Sequence, residues 1–169
     1  MPEGESLMSG GQERSDREMS QSLLERLTAA LGEVTTLIEE SDGALTITVD
    51  GLVASLRVVT IGEGLEMVSL TQPLAWDLPL NNKIRERVAE QAGRTMLGTV
   101  ALVEKAADAP QSPANGSSAK STHRPAAKKV ADVMLRYNFP AAGLSEDALR
   151  TLILLVLTTG ADVRRHLTG

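Results

Sequence analysis

The sequence predicts an α+β domain, an antiparallel sheet of about five strands with helices packed on it, in the order α-βββ-α-ββ-α. Three observations predict it. Between Ala44 and Leu70, short runs rich in Val, Ile, Thr and Leu alternate apolar with polar residues and are separated by Asp50-Gly51 and Gly62-Glu63-Gly64. Segments with apolar residues three and four apart, the spacing of amphipathic helices, stand on either side. A last helix, from about Leu144 to Leu167, carries six consecutive apolar residues, Leu152-Ile153-Leu154-Leu155-Val156-Leu157. Such a run winds through more than a full turn and leaves no polar face, so a sheet on one side does not suffice to cover it. The second side is expected to meet a partner subunit, a client protein or another part of the same chain, and Leu154, Leu155 and Leu157 are the candidate contacts.

Taken in order, residues 1–17 form a polar, acidic tail whose two isolated apolar residues, Leu7 and Met8, are too few to offset the entropy of ordering it. Residues 18–169 are read as one domain. Met19, Leu23, Leu24, Leu27, Ala30 and Leu31 fall on one helical stripe, with Asp16 or Ser20 as cap and Gly32 as stop. Val34 to Glu39 fits either a helical continuation or, by its β-branched content, a short strand; the strand is preferred. Ala44 to Val49 and Leu52 to Ile61 flank the Asp50-Gly51 hairpin signal, and Leu65 to Leu70 is the next strand. Pro73 and Pro79 bracket Leu74-Ala75-Trp76-Asp77-Leu78, read as an extended connection because each proline steers its predecessor away from helix. A helix follows from about Asn82 to Gly93, then a strand from Met96 to Val103.

From about residue 106 to 127 the chain holds no apolar side chain larger than alanine and is read as a flexible low-complexity insertion. Its margins are basic, with Lys105, Lys120, Arg124, Lys128 and Lys129 against Glu104 and Asp108. In the strand Val130 to Phe139, the set Ala131, Val133, Leu135, Tyr137 and Phe139 is expected to face the core, with Asp132 in the outward set. Ser145 caps the last helix, and Gly160 within it, about 1 kcal/mol worse than alanine in a helix, predicts close approach by a neighbouring element.

Composition excludes more than it suggests. Net charge is -5 and aromatic content 2%, confined to Trp76, Tyr137 and Phe139, which argues against the basic, aromatic-lined grooves of nucleic-acid readers. Without cysteine there is neither a disulfide framework nor a thiolate ligand or nucleophile. No run approaches eighteen apolar residues and no apolar leader is seen, so the expectation is a cytoplasmic protein without membrane contact.

The Asp50-Gly51 hairpin and three further segments together resemble the YbjN-like family of the type III secretion chaperone-like fold. These segments are Leu70 to Pro79, Thr95-Met96-Leu97-Gly98-Thr99-Val100, and Leu135-Arg136-Tyr137-Asn138-Phe139-Pro140 leading through Gly143-Leu144-Ser145. The resemblance spans about Met19 to Leu167, with the low-complexity insertion as a departure from it. It implies a homodimer that binds other proteins without performing a reaction.

Chemical motifs add little. Gly62-x-Gly64 lacks a third glycine and does not open a helix, and no phosphate-binding loop occurs. His123 and His166 lack metal-ligand spacing. Asn115-Gly116-Ser117 matches a glycosylation sequon without the leader that such chemistry needs. Two readings of Trp76 stay open: an exposed binding anchor, or a plug closing one end of the core. The expectation is therefore a non-enzymatic, chaperone-like homodimer engaging a protein client or partner, with no catalytic residue, metal or cofactor. Its alternative is a regulatory or adaptor scaffold whose acidic tail and basic linker carry the binding.

Overall fold

The computed structural model describes residues 22–106 and 128–169. The expected acidic tail, the helix start at Met19 with its caps Asp16 and Ser20, and residues 107–127 of the expected insertion lie outside the described residues.

Helix α1, Leu23–Gly32, is closed at its start by a reciprocal capping box in which the Ser22 hydroxyl accepts from the Glu25 N–H and the Glu25 carboxylate from the Ser22 N–H. Four strands follow: β1 (Thr36–Glu39), β2 (Leu45–Val49), β3 (Leu52–Gly62) and β4 (Leu65–Pro79). The β2–β3 turn places Asp50 at φ 50° and Gly51 at φ 76°. Two successive positive φ angles make the tight hairpin turn whose twist matches its strands, which is why Asp-Gly occurs there. Helix α2 (Asn82–Arg94), capped by Asn81, leads to β5 (Thr99–Ala106), β6 (Lys129–Pro140) and helix α3 (Glu146–Thr168), capped by Ser145.

All six strands form one antiparallel sheet in the order β1-β2-β3-β4-β6-β5. The α+β class holds, with six strands rather than about five, and four rather than three before α2, because Val34 to Glu39 does supply an edge strand. Another difference is the Pro73 to Pro79 segment, expected as a connection and found as the second half of the 15-residue β4. Pairing with β3 stops at Ser55 opposite Thr71, so beyond that point β4 has a neighbour on one side only. A proline's missing N–H is tolerated there, and the strand takes up Pro73 and Pro79 with register shifts at Pro73/Ala75 and Ala75/Leu78. Finally, β5 starts at Thr99, three residues later than expected, and Met96 is fully exposed in the link before it.

The core lies between one face of the sheet and the helices. Leu45, Ile47, Leu56, Val68, Leu70, Val133, Leu135 and Phe139 point into it from the strands, and Leu27, Leu31, Leu149, Ile153 and Leu157 from the helices. The alternation expected for β6 is thus observed. The apolar run of α3 is covered mostly within the chain, by the sheet on one side and α1 on the other. Two arginines lock α1 in place. The Arg150 Nε donates to the Ala30 carbonyl at 2.7 Å, one of the helix-end acceptors that α1 cannot satisfy itself, and Arg26 reaches the carbonyls of Ala142 and Leu144.

The close approach expected at Gly160 occurs. Gln72 of β4, 2% exposed, lies against Gly160, and its Nε2 donates to the Leu157 carbonyl at 3.3 Å. Its Oε1 has no hydrogen-bond partner among the described residues.

A candidate protein-binding surface on the open face of the sheet

The helices described above lie on one side, so the other face of the sheet has no described element over it. Register shows what it presents. One row runs across all six strands, Ile38, Thr46, Ser55, Thr71, Arg136, Thr99. Beside it stand Thr36, Thr48 and Val53 on one half and Pro73, Met134 and Ala101 on the other. On the opposite flank come Arg57, Ser69 and Asn138, then Val59, Met67 and Pro140. The face is a floor of hydroxyls with aliphatic groups toward its margins. Of the large apolar side chains left exposed, Ile38, Val53, Val59, Val103 and Trp76 belong to this side, whereas α3 contributes Leu155 alone.

Trp76 stands at one corner, where the second register shift of β4 pushes the chain outward. Asp77 takes φ 52°, a left-handed conformation that aspartate tolerates better than most residues. This turns its N–H onto the Asp132 carboxylate, 2.9 Å away. The Lys105 Nζ bridges the Asp132 and Asp77 carboxylates at 2.9 and 2.8 Å and lies 5.8 Å from the centre of the Trp76 ring. The Asp77 N–H, with help from Lys105 and against the effect of burial, holds the Asp132 carboxyl below its ordinary range. The two carboxylates, Asp77 first, raise the Lys105 ammonium above its own. Trp76 is therefore 57% exposed yet anchored through its neighbours. Elsewhere on the face Arg57 pairs with Asp42, whose carboxyl is lowered by that guanidinium.

Asp132 corrects one expectation: although it belongs to the outward set of β6, it is buried. The displaced chain of β4 covers it, and its charge is compensated by the Asp77 N–H and Lys105. Neither Lys105 nor Asp132 was legible as a site residue. Their meeting depends on the pairing of β5 with β6, strands separated in sequence by more than twenty residues.

The four candidate contacts do not form one surface. Trp76 is on the open side, and Leu155, 52% exposed, is on the outer side of α3. Leu154 is half-buried against the core, and Leu157, 1% exposed, has its surface used within the chain, which removes it as a contact. Polar residues flank Leu155 on the exposed side of α3, among them Thr151 and Thr158. Thr158 and Thr159 turn their hydroxyls back onto the carbonyls of Leu154 and Leu155.

A shallow depression on the open side is lined by Gly98, Thr99, Arg136, Tyr137 and Asn138. Among the described residues no group of three His, Cys, Asp or Glu side chains is arranged to hold a metal ion, and no helix is long and apolar enough to cross a membrane. Compared with known proteins, the chain matches no family model, no curated protein and no solved structure.

Proposed function

We propose that this protein is a non-enzymatic, chaperone-like protein-binding module that engages its partner through the open face of the sheet, with Trp76 as the anchor. The observation that carries this reading is a large aromatic ring held exposed by its neighbours, Lys105 over the ring and Asp77 tied to Asp132. Tryptophan is the side chain most enriched at binding hot spots, and a ring already held loses less freedom on binding than a free one. Pro73, Met134 and Val103, on the neighbouring stretches of β4, β6 and β5, give that end of the face an apolar character. The resemblance to the secretion chaperone-like fold, whose members are homodimers that bind proteins, points the same way. The alternative contact on α3 is weaker, because Leu155 stands there without another exposed large apolar residue.

The test uses the full chain as bait for cytoplasmic proteins and compares Trp76→Ala with Leu155→Ala at equal circular dichroism. A hot spot worth about 2 kcal/mol predicts affinity roughly thirtyfold weaker for Trp76→Ala and near wild type for Leu155→Ala. Equal retention by wild type and Trp76→Ala refutes the reading.

A further inference from the structure

We propose that Arg136 selects the partner: the open face takes a peptide segment that sets a carboxylate on Arg136 and, about 14 Å away, an apolar side chain on Trp76. The proposal rests on the reading of that face as a binding surface and adds the chemistry of what it binds.

Charge on this face is answered within the chain except at one point. Arg57 pairs with Asp42, Lys105 pairs with Asp77 and Asp132, and Glu40 accepts from the Thr46 hydroxyl. Arg136, exposed on the same face, enters no ion pair among the described residues. A basic segment therefore meets carboxylates that are already engaged, whereas an acidic one meets an open guanidinium. The net charge of -5 sharpens this choice, because most of the chain repels an acidic segment and Arg136 attracts it at one place.

The surroundings of Arg136 suit a carboxylate. Thr71 of β4 and Thr99 of β5 are its register partners on either side, and Asn138 follows it on the same face. A guanidinium presents two parallel N–H groups to a carboxylate, and the flanking hydroxyls and side-chain amide are further donors. Because β5 begins at Thr99, β6 has no strand beside it past Arg136, which opens the shallow depression there. Gly98, at φ 91°, forms part of its lining. A Cβ at that position would stand 2.9 Å from the Arg136 carbonyl oxygen, so only glycine lets the link run this close to β6.

Toward Trp76 the face turns apolar. Met134, with Pro73 and Ala101 as its register partners, lies two residues along β6 from Arg136. Trp76 falls between the pairs Ala75 with Val133 and Leu78 with Ala131, level with Asp132 and four residues from Arg136. At about 3.4 Å per residue the separation is about 14 Å. An extended segment matches it with an acidic residue and an apolar one four positions apart and a small aliphatic residue midway.

The experiment selects random displayed peptides on the full chain, then titrates the synthesised winner with Trp76 emission as the signal, Trp76 being the single tryptophan. The expected winners carry Asp or Glu four positions from an apolar residue. Replacing that acid by its amide weakens binding about tenfold to a hundredfold, Arg136→Gln does the same, and the two together weaken it no further. Arg136→Lys restores part of the affinity, since an ammonium lacks the planar fork, and Arg136→Glu selects Lys or Arg in place of the acid. Arg94→Gln, at an exposed arginine of α2, changes nothing. Arg136 is itself exposed, so its variants fold, as circular dichroism checks. Winners without the acid, or an acid whose contribution survives Arg136→Gln, overturn the proposal. Displacement of the peptide by inorganic phosphate and not by acetate overturns it in favour of a phosphate-bearing partner. If acid-free peptides bind and Trp76→Ala abolishes their binding, Arg136 falls and the binding reading stands. If no peptide depends on Trp76, both fall.

Discussion

Replacing Gly160 by alanine sets two effects of opposite sign against each other. Helix propensity alone makes the variant more stable by about 1 kcal/mol. Packing says otherwise. A Cβ at position 160 stands 2.6 Å from the Gln72 Cδ and 2.9 Å from its Nε2, with Oε1 closer still, whereas carbon atoms rest at about 3.5–4.0 Å. The Gln72 side chain must withdraw by about 1 Å, or α3 must lift off β4. On a surface the end of a glutamine would simply swing away, but this one is 2% exposed and hydrogen-bonded to the Leu157 carbonyl. Overpacking costs about 1–3 kcal/mol, and stripping a buried amide of its partner another 1–3 kcal/mol or so. After subtracting the propensity gain, Gly160→Ala is expected to lose about 1–5 kcal/mol. The assay is urea denaturation followed by circular dichroism, on wild type, Gly160→Ala, Gln72→Ala and the double variant. Truncating Gln72 opens the space that the new methyl enters, so the two changes should couple by at least about 1 kcal/mol in the favourable direction. A Gly160→Ala protein more stable than wild type, or strictly additive effects, would refute this account of the α3–β4 contact.

Two further predictions follow from the same structure. Leu155→Arg leaves the unfolding midpoint within about 0.5 kcal/mol of wild type, whereas Leu157→Ala, three atoms deleted from the core, loses about 2–5 kcal/mol in the same denaturation experiment. The lowered Asp132 carboxyl stabilises the fold fully above its unfolded pKa of about 3.9, and that contribution disappears as pH falls through the lower folded value. The raised Lys105 ammonium does the reverse: its contribution is complete below about pH 10.4 and is lost as pH rises through its folded value. The stability deficit of Asp132→Ala, from urea midpoints, is therefore flat between about pH 6 and 8 and shrinks below about pH 4. A deficit that widens in acid contradicts this sign.

Much of the fold was legible because it is written in short-range terms. Asp50-Gly51 announces its hairpin through the two positive φ angles that few other pairs accept. The alternation from Val130 to Phe139 names the inward side chains whatever the neighbouring strand is. Gly160 advertised a close contact but not its partner, which proved to be a buried glutamine. The segment from Pro73 to Pro79 misled for a definite reason. Two prolines argue against a paired strand in general, and only the end of pairing with β3 at Thr71 makes them tolerable there.

The candidate surface was less legible. Trp76 was singled out from its isolation among few aromatics, but Lys105 and Asp132, which hold it in place, carry no local signal. Leu152 to Leu157 posed the question of a second cover, and α1 answers most of it, leaving Leu155 outside.

Sequence alone determined most of the element types, the Asp50-Gly51 turn, the Ser145 cap and which side chains of each strand share a face, since all follow from periodicity and backbone preference within a few residues; the cap of α1 proved to be Ser22 rather than Asp16 or Ser20. Tertiary structure alone decided that β6 inserts between β4 and β5, that the described helices gather on one side, and that a face rich in hydroxyls, with an anchored tryptophan, has no described element over it. The reason is that such contacts join residues far apart in the chain. Their free energy depends on which partners the whole fold brings together, and no local stretch encodes that choice.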